Sequence, residues 1–144
     1  METLLGLEYN VWWFLVFGGV MTGYAILDGF DLGAGALHLF LKKENSRRIA
    51  LNAIGPVWDG NEVWLVIAGG VLFAGFPVAY AAIFSAFYVP FMIFLVGLIW
   101  RGVAIEFRSK EPGTTWRMIW DFIYSFASIV ISLSLGLMLG NVAL

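Results

Sequence analysis

Four carboxylates stand where a chain built for lipid should have none. Asp28 and Asp31 interrupt an apolar run, and Asp59 and Glu62 interrupt the next. The first pair follows seventeen uncharged residues, 11–27. Within each pair the spacing is three, which puts both acids on one face of a helix. Acids grouped in this way titrate together and exchange protons. The chemistry they offer is proton binding and transfer.

The composition explains why these acids matter. Of 144 residues, 61% are hydrophobic and only 12% charged. A soluble domain carries about a quarter of its residues as charges. The chain therefore reads as an integral membrane protein. There is no cysteine, which excludes a disulfide, a thiolate metal site and a cysteine nucleophile. The net charge of −2 gives no reason to expect a nucleic-acid partner. The N-terminus holds Glu2 and Glu8 and lacks the basic start of a signal peptide, so the first apolar run is expected to be retained.

A helix needs about 20 apolar residues to cross the hydrocarbon. Spans are expected at about 11–41, 49–75, 78–105 and 116–141, in one transmembrane domain over 1–144. The break between the second and third is placed at Gly75-Phe76-Pro77, inside a run of 38 uncharged residues, 63–100. The expected fold is an all-α, four-helix membrane bundle. All eight basic residues fall in or beside the first and third connections: Lys42, Lys43, Arg47 and Arg48, then Arg101, Arg108, Lys110 and Arg117. The positive-inside rule makes that side cytoplasmic and puts both termini outside. Trp12, Trp13, Trp100, Trp116 and Trp120 fall near the expected span ends. The pairs Gly19 and Gly23, Gly29 and Gly33, and Gly136 and Gly140 have the small-xxx-small spacing that lets helices approach closely.

The first two spans form an antiparallel hairpin about residue 45, so residues whose numbers sum to 90 lie at one depth. Asp31 then matches Asp59, about 15 Å from the loop, and Asp28 matches Glu62, about 20 Å from it. Charge at such depth costs several kcal/mol unless it is paired or hydrated. Arg101 is the only base within a span and is expected within two turns of its cytoplasmic end. One arginine does not balance four acids. Two readings follow: a proton file open to the cytoplasm, or protonated carboxyls and amides such as Asn61 acting as polar glue between helices.

Other polar residues point to structure. His38, the only histidine, is expected as a hydrogen-bonded interfacial residue. Asp121 suits the positive end of the fourth helix. Arg101, Glu106 and Arg108 are expected as a local ion-pair cluster at the membrane edge. Ser125, Ser128, Ser132 and Ser134 are expected to pack and back-bond. GFDLGAG does not match the dinucleotide fingerprint. No catalytic nucleophile, cofactor site or metal site is read in this chain.

Three segments together resemble subunit II of the cytochrome bd-type quinol oxidases: DGFDLGAG at 28–35, NAIGPVWDGNEVWL at 52–65 and RGVAIEFRSK at 101–110. WRMIWD at 116–121 is similar too. The resemblance implies a partner, subunit I, that bears two b-type haems, one d-type haem, the quinol site and the oxygen-reduction site. It implies residence in the bacterial or archaeal cytoplasmic (inner) membrane. It attributes a proton route to acids matched here by Asp28, Asp31 and Asp59, with Trp58 and Asn61 in the same motif and Glu62 beside them. The family's subunit II usually has two four-helix halves, and this chain matches the first. Further small membrane subunits, or a chain supplying the second half, would complete such a complex; if none does, the fourth span faces lipid. No motif here matches the structural quinone of some members. Outside that family, the same acids suit a small four-span proton-coupled exporter acting as a homodimer, or a pure scaffold.

Overall fold

The computed structural model describes residues 3–4 and 6–143. A short hairpin pairs β1 (Thr3–Leu4) with β2 (Leu7–Glu8), Thr3 opposite Glu8. Gly6 in its turn has φ +83°, a left-handed conformation that a side chain rarely adopts. Everything after it is helical: α1 (Tyr9–Leu37), α2 (Glu44–Ile54), α3 (Trp58–Gly75), α4 (Pro77–Ala86), α5 (Tyr88–Phe107) and α6 (Thr114–Ala143). One 3-10 turn, His38–Phe40, extends α1.

Three of these helices are long and apolar enough to cross a membrane, and a fourth crossing is reached if α2 and α3 count as one bent span. The first and last expected spans are thus single helices. The two between them are broken, each for a reason visible in proline chemistry. α2 and α3 meet at 48°. Pro56 has no N–H to donate there, and Val57 leaves the helical region at φ −124°, ψ −23°. The expected span at 78–105 is interrupted at Phe87, with φ −104° and ψ 26°. Pro90 is the cause that the sequence reading passed over. It cannot donate to the carbonyl of Ala86, and its ring crowds that carbonyl. Pro77 opens α4 at its first turn, where the missing N–H costs nothing.

α1 is the middle of the structure. It packs against α3 on one side and α6 on the other, and α6 packs against α5. Its buried residues, Tyr24, Asp28, Asp31, Leu32 and Gly35, form one stripe at helical spacing. α5 buries Phe94, Gly97, Arg101 and Ala104 in the same way. Leu32, Phe94, Ile131 and Met138 form one apolar core. Leu51, Ile54, Ala104 and Tyr124 form a second, nearer the 108–113 loop.

The close helix contacts are not where the small-xxx-small pairs suggested. A Cβ on Gly19, Gly29, Gly33, Gly136 or Gly140 would meet nothing within 4 Å. Only Gly23 of those six lies close to a neighbour, the ring of Trp64 at 2.7 Å. The tightest approach is at Gly35, where a Cβ would overlap the Ser128 side chain. Small residues matter where a neighbouring helix actually crosses, and spacing alone does not say where that is.

Candidate functional site

The deep acids converge on one cation. Asp28 and Arg101 are both fully buried. Arg101 Nη2 donates to Asp28 Oδ1 at 2.5 Å and Nη1 donates to Asp28 Oδ2 at 3.0 Å. This two-pronged pairing suits the planar guanidinium. Glu62 Oε1 lies 3.2 Å from Nη1, and Asp31 Oδ2 lies 3.8 Å from Nη2. Asn61 Nδ2 donates to Asp31 Oδ2 at 2.8 Å and, more weakly, to the Leu27 carbonyl at 3.4 Å. Three carboxylates thus surround one guanidinium.

The depth matching therefore succeeds for Asp28 and Glu62, which share Arg101. Asp31 and Asp59, expected at one depth, do not meet. Asp31 is buried against Asn61, while Asp59 is exposed and makes no ion pair among the described residues. Asp59 and Glu62 stand about 60° apart around α3, and the edge of the packed face runs between them. Trp58 is half-buried, its ring within 3.1 Å of where a Gly102 Cβ would be. Gly102 lies on α5, one residue from Arg101.

One expectation about Arg101 is overturned, its place in an edge cluster. It does not join Glu106 and Arg108 at the edge. It turns inward to Asp28. The sequence held a signal for this: Gly97 and Ala104 flank Arg101 at i−4 and i+3, so small residues mark its face as the packing face.

A second cluster lies about 10 Å away along α5, seven residues on at Arg108. Its centre is Asp121, 1% exposed. His38 Nε2 lies 2.5 Å from Asp121 Oδ1, and Arg47 Nη1 donates to Oδ2 at 2.9 Å. Arg108 donates to both oxygens through Nε and Nη2. Arg108 Nη2 also reaches Glu44 at 2.8 Å, and Arg117 Nη1 reaches Glu44 at 3.2 Å. Burial alone would lower the Arg108 guanidinium, but its hydrogen bonds to Asp121 and Glu44 hold it above its ordinary value. Arg47 Nε closes the connection by donating to the Leu41 carbonyl at 2.7 Å.

One expectation is met here and another changes. His38 makes its expected hydrogen bond, to Asp121, and does so fully buried within the protein. Asp121 is the hub of an ion-pair network and does more than face a helix dipole. The serines behave largely as expected. Ser128 and Ser132 donate to the carbonyls of Tyr124 and Ser128, each at 2.8 Å. Ser125 instead crosses to the Ala36 carbonyl of α1 at 3.3 Å.

One further residue was not singled out by the sequence. Tyr124, 2% exposed, touches both clusters. Its ring meets the His38 ring edge-on at 5.1 Å, and its hydroxyl donates to the Asp31 main-chain carbonyl at 3.3 Å. Among the described residues, no group of three His, Asp or Glu side chains is arranged to hold a metal ion.

The family model of the cytochrome bd terminal oxidase subunit II matches residues 9–144. The chain is 47% identical over 132 residues to the cytochrome bd-I ubiquinol oxidase subunit 2 of Escherichia coli (strain K12). That match covers 91% of this chain and 35% of the relative. The cytochrome bd ubiquinol oxidase subunit 2 of Bacillus subtilis (strain 168) is 42% identical over 127 residues, 88% of this chain and 38% of that protein. A probable cytochrome oxidase subunit 2 of Haemophilus influenzae is also 42% identical, over 91% of this chain and 35% of its own length. The chain thus spans little more than a third of the curated relatives it matches. These matches favour the oxidase and give the exporter reading no support. The apolar helices agree with a multi-pass protein of the bacterial inner membrane. By the family match over residues 9–144, the chain belongs to the cytochrome bd terminal oxidase subunit II family.

Proposed function

We propose that this chain is a haem-free membrane subunit of a bd-type quinol:oxygen oxidoreductase, conducting cytoplasmic protons toward the oxygen-reduction site of its partner. In this reading the helices form one four-helix transmembrane domain, α2 with α3 and α4 with α5 each making one interrupted crossing. Both termini lie outside, and the Asp121 cluster lies at the cytoplasmic rim among the basic loops.

The observation that carries the proposal is the charge balance around Arg101. Asp28, Asp31 and Glu62 face a single guanidinium inside an apolar surround. Two surplus negative charges at that depth are costly. Protons are the smallest species that can meet them, so the cluster is a set of proton-binding groups. Asp59, exposed at the first turn of α3, receives protons and passes them inward to Glu62. Asn61 and Trp58 position the route by holding Asp31 and lying over Gly102. Asp31 and Asp28 are its most buried members.

Haem chemistry is assigned to the partner, subunit I. The one histidine here has Nε2 committed to Asp121 and its ring enclosed against Tyr124. These residues do not fit a haem ligand set. Quinol is the reductant of the complex and is bound outside this chain.

Asp59→Asn in the purified complex tests the reading. It is expected to slow oxygen consumption by about tenfold or more, within the range that a positioned proton-transfer group supplies, while the haem spectrum stays unchanged. Full turnover in that variant would refute proton conduction. Loss of assembled complex would favour the scaffold reading.

A further inference from the structure

We propose that Tyr124 is a positioning residue that couples the rim cluster to the deep one, so that the state of the His38–Asp121 pair sets how Asp31 is held. This deepens the proton-route reading and rests on it for its purpose. The geometry itself does not depend on that reading.

α1 is fastened to α6 at two heights. At the rim, His38 is pinned through Nε2 to Asp121, which is also held by Arg47 and Arg108. Seven residues earlier on α1, the Asp31 carbonyl accepts from the Tyr124 hydroxyl. A helical carbonyl has a second lone pair free for such a bond. Tyr124 follows Asp121 by three residues, so both lie on the α6 face turned to α1. Its ring also abuts the His38 ring at an interplanar angle of 81°. Between the two heights, Ser125 bonds the Ala36 carbonyl, and Ser128 fills the space over Gly35. The Gly35 contact leaves no slack for α6 to slide over α1 independently.

Asp31 is the member of the deep cluster that such a shift would affect most. Its contact to Arg101 is the longest of the three, 3.8 Å against 2.5 Å for Asp28 and 3.2 Å for Glu62. Its other partner is Asn61 on α3. Asp31 Oδ2 stands between these two partners, at 3.8 Å from Arg101 and 2.8 Å from Asn61, so a shift of α1 changes how it is shared. Asp28 is locked by two hydrogen bonds and has no comparable freedom. His38 Nδ1 has no hydrogen-bond partner among the described residues, so the ring is held to its surroundings through Nε2 alone. Any change in how His38 meets Asp121 therefore moves the ring that Tyr124 abuts.

The test uses the complete complex with 13C-labelled aspartate. The Asp31 carboxyl band is assigned in the infrared by Asp31→Asn. Tyr124→Phe keeps the ring and removes only the oxygen. It is expected to shift the Asp31 band and the pH dependence of oxygen uptake, with the amount of assembled complex unchanged. His38→Gln retains a donor toward Asp121 but loses the ring contact, and is expected to shift the band as well. Ser132→Ala removes another α6 hydroxyl and is expected to leave the band in place. An unmoved band in Tyr124→Phe or His38→Gln overturns the coupling, as does an equal shift in Ser132→Ala. Asp59→Asn judges the proton route separately: full turnover there, with a moved band in Tyr124→Phe, would remove the conduction and keep the coupling.

Discussion

The two ion clusters use the same residue types and reach opposite balances. In the deep one, three carboxylates share one guanidinium, and that guanidinium is fully buried. At the rim, Arg47, Arg108, Arg117 and His38 meet only Asp121 and Glu44. The rim has basic side chains to spare and can open toward water; Arg117 is 35% exposed and Glu44 47%. The deep cluster has one base for three acids, and only Glu62, 20% exposed, reaches its surface. An ion pair cut off from water costs most when one partner is removed, because the other charge remains stranded. A pair that water can reach loses far less. The rim is thus suited to fastening helices, while the deep cluster holds more carboxylates than its one guanidinium can pair, which is the feature the proposed proton route rests on.

Removing the deep cation should have the largest effect. Arg101→Met strands Asp28, Asp31 and Glu62 with no base in reach. Breaking a buried pair from one side costs about 3–5 kcal/mol. The expected result is loss of most of the assembled protein from the membrane, measured as the yield of intact complex after mild solubilisation. Arg101→Lys should recover part of it, since an ammonium keeps the charge but cannot hold Asp28 with two parallel bonds. If Arg101→Met assembled at normal yield, the three acids would already be neutral without it.

Asp121→Asn should come second. It removes the charge that gathers His38, Arg47 and Arg108. Hydrogen bonds to a charged group are worth about 1.5–3 kcal/mol, and Arg47 and Arg108 keep water or Glu44 as alternatives. A lower thermal midpoint of the solubilised protein, with assembly retained, is the expected outcome. A loss as severe as that of Arg101→Met would erase the distinction between the two regions.

Much of this contrast was legible in the sequence, and the reasons differ residue by residue. Asp28, Asp31 and Glu62 stood out because charge in an apolar run is rare, and helical spacing alone put Asp28 level with Glu62. The basic loops marked one end of the molecule by composition. What escaped was direction. Arg101 lies at the end of an uncharged run, and only its flanking Gly97 and Ala104 hint that it turns inward. Pro90 breaks the third apolar stretch just as Pro56 breaks the second, though each stretch was expected as one span. Tyr124 carries no unusual signal, because an aromatic residue on a membrane helix is ordinary until its neighbours are known. The resemblance supplied what spacing could not, a reason for the acids to be there. It said nothing about His38 meeting Asp121, since that contact joins residues 83 positions apart.

The smallest effect belongs to Glu44, and it sharpens the comparison through salt. Glu44 holds Arg108 and Arg117 by one contact each, at the first residue of α2 and about half exposed. Exposed pairs contribute about 0–1 kcal/mol and weaken as ions screen them. Glu44→Gln should therefore lower the thermal midpoint only slightly at low ionic strength, and the difference from the parent should vanish in about 1 M salt. The stability cost of Arg101→Lys should not change over the same range, because mobile ions do not reach a fully buried guanidinium. Measured side by side in one salt series, the two variants separate a cluster that exchanges its charges with solvent from one that is sealed. On the proposed proton route, the buried cluster changes its charge through Glu62, its most exposed member, and through Asp59, the exposed carboxylate three residues before it.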